Sequence, residues 1–170
     1  TARLFSLFAA PPEKDLEWSD AGVEGAFRFL GRVWRLVQEL APKLGSKNSG
    51  PPAEPSKREQ DLRRLTHRTI RKVTEDIERE FQFNTAIAAL MEFVNGLYKF
   101  TAETKETNKA DDAPALREAI DALILLLSPF APHIAEELWA VTGHATSLAR
   151  ARWPVYDAGL IQEEVLTIPV

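Results

Sequence analysis

Seven basic side chains lie between positions 57 and 72: Lys57, Arg58, Arg63, Arg64, Arg68, Arg71 and Lys72. Only Glu59 and Asp61 oppose them there. The next stretch reverses sign, with Glu75, Asp76, Glu78 and Glu80 against Arg79. On a helix turning about 100° per residue, Lys57, Arg64, Arg68 and Arg71 fall opposite the apolar stripe. Arg63 and Lys72 flank that ridge, and His67 sits on its edge. Two readings are open. A ridge of this kind can hold the phosphates of a nucleic acid backbone. It can equally be a solvated face using i,i+4 pairs, such as Arg71 with Glu75 and Lys72 with Asp76. Basic residues early and acidic residues late oppose the helix dipole, at a few tenths of a kcal/mol or so per charge. No aromatic residue interleaves the ridge, so stacking on single-stranded bases is not suggested, and contact with the backbone of a duplex stem fits better.

Other chemistry is poorly supplied. The three histidines, His67, His133 and His144, are far apart in sequence. The stretch His133-Ile-Ala-Glu136-Glu137 resembles a His-x-x-Glu-His zinc motif, but Glu137 replaces the second His. The acids favour the positive end of a helix starting there, which is the preferred reading. Gly45-Ser46-Lys47 lacks the upstream glycine and the strand of a phosphate-binding loop. No metal, cofactor or complete catalytic set is expected. There is no Cys, which excludes disulfides, thiol nucleophiles and Cys-ligated metals. With 170 residues, 45% hydrophobic and 27% charged, the chain reads as one globular domain, with pieces of a second. Its net charge of −4 offers no global attraction to nucleic acid, so any such binding must come from a local patch. No apolar run is long enough to span a bilayer, and no secretory signal is recognisable.

The elements that position the ridge are helical. A short helix over 2–10 carries Leu4, Leu7 and Phe8 on one face and stops at Pro11-Pro12. Ser19 or Asp20 caps the next, whose predicted inward face is Phe27, Leu30, Trp34 and Val37. Residues 42–56, rich in Pro, Ser and Gly, form a linker. Ser56 and Glu59 make a capping box opening a long helix to about Glu80, with Leu62, Leu65, Thr69, Val73 and Ile77 inward. A third long helix starts at Asn84, with Ile87, Leu90, Met91, Val94 and Leu97 inward, before a loop over 101–112. Asp112 and Pro114 start the next, whose all-apolar run from Leu123 to Leu127 places it centrally. Pro132 starts another, which Gly143 stops. Val165–Val170 alternates as a short extended strand, the opening of a further domain. Trp34 and Trp139 are expected in the core. Trp18 and Trp153 lie in loops at the ends of the bundle, as candidate contacts with neighbouring domains. Both chain ends are expected to be cut from something larger.

Several stretches carry a resemblance: Thr1-Ala-Arg-Leu-Phe5, Leu16-Glu-Trp-Ser-Asp20 with Gly22-Val-Glu-Gly25, and Lys72-Val-Thr-Glu-Asp-Ile77. They continue with Phe83-Asn-Thr-Ala-Ile-Ala-Ala-Leu-Met91, Pro129-Phe-Ala-Pro-His-Ile-Ala-Glu-Glu-Leu-Trp139 and Trp153-Pro154. In this order the chain resembles the C-terminal half of bacterial-type leucyl-tRNA synthetases, class I enzymes. The resemblance implies an all-α helix bundle of the anticodon-binding type with a short C-terminal strand. Residues 1–20 would be a stem-contact segment after the catalytic domain, 21–158 the anticodon-binding bundle and 159–170 the truncated start of the C-terminal domain. The implied partners are a leucine-specific tRNA and the parent's missing catalytic, editing and C-terminal domains. ATP and Mg would serve the parent's catalytic domain. The HIGH-type and KMSKS-type signatures are absent, so no aminoacylation is expected of the fragment alone. A cytoplasmic monomer, with no membrane, is implied. Leucyl enzymes generally do not read anticodon bases for identity, which agrees with backbone contact by the ridge. The rival reading is a helical module that docks other domains or proteins without touching RNA.

Overall fold

The computed structural model describes residues 1–10, 15, 17–44, 55–107 and 113–161. The predicted strand at 165–170, most of the 42–56 linker and the cap at Asp112 lie outside them. The order is α1 (Ala2–Ala9), α2 (Asp20–Leu40), α3 (Lys57–Glu80), α4 (Phe83–Thr107), α5 (Ala113–Leu127), α6 (Pro132–Val141) and α7 (Ala158–Ile161), and among the described residues there is no strand. Short 3-10 turns follow α2 and precede residue 151. All-α architecture is what the apolar periodicity predicts.

Helix α3 packs most extensively on α4 and α5, and α1 closes onto α2 and α4. The centre is α5. Leu123, Ile124, Leu126 and Leu127 have no exposed surface and Leu125 is partly buried, as a run with apolar residues on nearly all sides requires. Leu4 and Phe5 bury α1 in the same core, where Gly22 lets the helices approach. A Cβ at Gly22 would stand 2.6 Å from the Phe5 ring, closer than carbon atoms can sit.

The helix ends follow local chemistry. Ser19 caps α2 by accepting from the Gly22 N–H. Ser56 and Glu59 satisfy each other's free N–H groups at the start of α3, an arrangement contributing about 1 kcal/mol. Phe81 ends α3 in the left-handed region at φ 49°, and the Asp76 carbonyl accepts from the Gln82 N–H at 2.8 Å. The Asp76 carboxylate receives Lys72 Nζ at 2.6 Å and the Thr85 hydroxyl at 2.8 Å, which locks the elbow into α4. Gly143, at φ +86°, stops α6 as a glycine can without strain.

The structure corrects four expectations. Phe27 is 65% exposed. The buried arc of α2 runs through Ala26, Phe29, Leu30, Val33, Leu36 and Val37, so it is rotated by about one residue and Phe27 falls at its edge. There, with half-buried Trp34 and with Phe130 and Pro132, it lines an open cleft of about 450 Å³. Second, α4 continues to Thr107, so 101–107 is helix rather than loop. Third, His67 is buried rather than at the ridge's edge. Fourth, α7 follows the extended segment after α6, where the sequence shows no helical period. Trp139 is buried as expected.

Candidate nucleic-acid interface

Helix α3 sorts its cations into two groups. Arg58 turns inward, donating to the Phe100 carbonyl and stacking over the Phe100 ring at 4.1 Å. Arg63 also turns inward, with Nε donating to Glu118 Oε2 of α5 at 2.8 Å. Lys57, Arg68, Arg71 and Lys72 are exposed, and Arg64 is partly so. Lys57, Arg64, Arg68 and Arg71 therefore share an outward face as their spacing predicts, with Lys72 on its flank.

The solvated-face reading accounts for only part of that face. Lys72 pairs with Asp76, as predicted, and Arg64 with Asp61 at 3.0 Å. Glu75 pairs instead with Arg79, at 4.0 Å, and Arg71 and Lys57 have no ion-pair partner among the described residues. Beside the ridge, α3 and α4 enclose a groove of about 600 Å³, with Arg68, Arg71 and Lys72 against Asp61, Glu75 and Glu92. Among the described residues no cluster of three or more His, Cys, Asp or Glu side chains could hold a metal. Among them, too, no helix is long and apolar enough to cross a membrane.

Sequence reasoning missed a polar cluster on the ridge's other flank. Buried His67 meets Glu118 Oε1 through Nε2 at 3.0 Å, and its Nδ1 accepts from the Asp157 N–H at 3.0 Å. An acceptor at Nδ1 fixes the proton on Nε2, so the ring is the neutral tautomer that donates to Glu118. These partners are far apart in the chain, and no local pattern joins them. Burial pushes the Glu118 carboxyl up, but hydrogen bonds from His67 and Arg63 and the positive charge of Arg63 outweigh it and hold the group below its ordinary value of 4.5. A carboxyl lowered by folding adds stability above its unfolded pKa, and that stability fades as pH falls through the folded pKa. Glu118→Gln should therefore destabilise the chain at neutral pH, with the gap to the parent sequence closing in acid. Urea unfolding from about pH 7 to about pH 3 reads this. A gap that does not change with pH would show that the carboxylate's charge is immaterial.

The two candidate tryptophans are both tethered. Trp18 is 65% exposed, donates to Asp20 Oδ1 at 2.8 Å and meets the Phe5 ring edge-on. Trp153 donates to Thr74 Oγ1 on α3 at 2.9 Å.

Residues 59–168 match the family described as the anticodon-binding domain of tRNA ligase. The chain is 54% identical over 169 residues to a leucine–tRNA ligase of Geotalea uraniireducens, covering 99% of this chain and 20% of that protein. It is 51% identical over its whole length to the leucine–tRNA ligase of Citrifermentans bemidjiense, again spanning 20% of it. Among solved structures it is similar to the ternary complex of Agrobacterium radiobacter K84 agnB2 LeuRS with tRNA and LeuAMS. That match has a TM-score of 0.81 at 33% identity, over 95% of this chain and 20% of that one. A helix bundle that presents a basic face on α3, with this match over most of its length, belongs to the anticodon-binding domain family of tRNA ligases.

Proposed function

We propose that the chain is the tRNA-supporting bundle of a leucine–tRNA ligase and that the outward face of α3 meets the RNA backbone. The observation that carries this is the ridge. Lys57, Arg64, Arg68 and Arg71 share one exposed face on a chain of net charge −4, and two of them lack ion-pair partners among the described residues. Coulombic attraction to phosphates needs no more than such a local field. The similar solved structure holds a tRNA, which supports the same partner here.

In this reading residues 21–158 are the RNA-supporting bundle, 1–20 the segment joining it to the catalytic part, and 159–170 the lead into a further domain. Attachment of leucine with ATP and Mg is the work of the parent's catalytic part. The parent works as a cytoplasmic monomer. Trp18 lies where a neighbouring domain would approach. The exposed cleft at Phe27 favours a second role, docking of such domains, which need not exclude the first.

The test is the variant Arg64→Ala/Arg68→Ala/Arg71→Ala, compared with the parent sequence for binding to a leucine tRNA transcript across salt concentrations. The reading expects weaker binding and a flatter salt dependence. Equal binding at every salt concentration would remove this face from the interface and leave docking as the function.

A further inference from the structure

The segment between α6 and α7 exposes apolar surface that packing does not require. Val155 is 84% exposed, Tyr156 37% and Trp153 36%, and the segment also carries exposed Arg150 and Arg152. It is nevertheless held at three places. Glu136 accepts from the Leu148 N–H at 3.0 Å, Trp153 donates to Thr74, and Asp157 donates to His67. Pro154 stiffens the chain between the last two.

These clips fix where the segment lies. Trp153 is tied at Thr74 and Asp157 at His67, so the segment runs against the direction of α3. The two α3 positions are about 10 Å apart along the helix axis. Between them the segment passes the level of Arg71. Around the helix, Arg71 and Arg64 stand within about 60° of His67, so the segment borders the basic ridge along its length. Arg150 and Arg152 have no ion-pair partner among the described residues. Glu75 and Glu78 limit the basic field at the α6 end, and Asp157 lies at the other.

We propose that residues 150–156 form a second wall of the RNA surface, where Trp153 and Tyr156 pack on an unpaired nucleotide while Arg64, Arg71 and Arg152 hold the adjoining phosphates. The proposal rests on the ridge reading above. It supplies the aromatic component that the sequence of α3 lacks. A base laid on a ring that is already fixed to the scaffold loses little to ordering, and any base can provide the face. The surrounding cations favour RNA over an apolar protein segment as the occupant, because a protein would have to desolvate them without phosphates to pair.

Stacking and phosphate contact have different salt signatures, which makes the wall testable apart from the ridge. Binding to the chain is measured across salt for a hairpin RNA and for its stem closed as a blunt duplex. Trp153→Ala/Tyr156→Ala should weaken hairpin binding about tenfold or more with an unchanged salt slope, and should barely affect the blunt duplex. Tyr156→Leu keeps the apolar bulk without the ring, so a smaller loss confined to the hairpin carries the same meaning if the double variant does not fold. Equal loss on both RNAs, or a flatter slope, would overturn stacking as the role of this wall. Unchanged binding by the aromatic variants, beside a loss in the triple arginine variant, would overturn the wall and leave the ridge. Unchanged binding by both sets would overturn the ridge reading and the wall with it.

Discussion

Phe93→Ala is expected to destabilise the chain by about 3–5 kcal/mol, a large share of the roughly 5–15 kcal/mol that holds a typical domain folded. Phe93 has no exposed surface and sits in α4 at the floor of the groove between α3 and α4. Removing the ring leaves a cavity that two rigid helices cannot both close, so the cost includes missing dispersion attraction as well as transfer free energy. The melting temperature should fall by roughly 6–20 °C, at roughly 2–4 °C per kcal/mol for a chain of this size. Phe27→Ala removes an identical side chain from a position that is 65% exposed and should cost far less. Urea unfolding of the two variants side by side is the measurement. Similar losses would mean that Phe27 is packed, and that the rotated inward face of α2 is wrong.

The second large effect is on binding rather than folding. Replacing Arg64, Arg68 and Arg71 with Ala should lower affinity for tRNA on the order of a hundredfold at about 0.1 M salt, and reduce the salt slope by about one unit for each phosphate no longer neutralised. Folding stability should change far less than affinity, since Arg68 and Arg71 are exposed and the Arg64–Asp61 pair is a surface one. Binding and stability should thus separate. A variant that loses both would point to packing as the role of these arginines.

Local signals are legible in the sequence. The capping box at Ser56 and Glu59 fixes the start of α3 within a few residues, and the apolar run in α5 announces a central helix without any knowledge of its neighbours. The ridge is legible for the same reason, since helical spacing alone decides which side chains share a face. Phe27 is misplaced by periodicity because a stripe two residues wide does not say where the neighbouring helices meet it. Arg63 can be assigned to a flank but not to Glu118, because its partner stands on another helix. The clips from Trp153 to Thr74 and from Asp157 to His67 join positions separated by about half the chain, and only the fold brings them together.

The most direct measurement is a salt titration of this chain's binding to a leucine tRNA transcript, beside a non-cognate tRNA and a plain RNA duplex. A basic ridge on α3 that supports tRNA gives binding that weakens steeply with salt and favours tRNA over the duplex. No binding even at low salt would contradict it, and would make the bundle a scaffold that positions other domains.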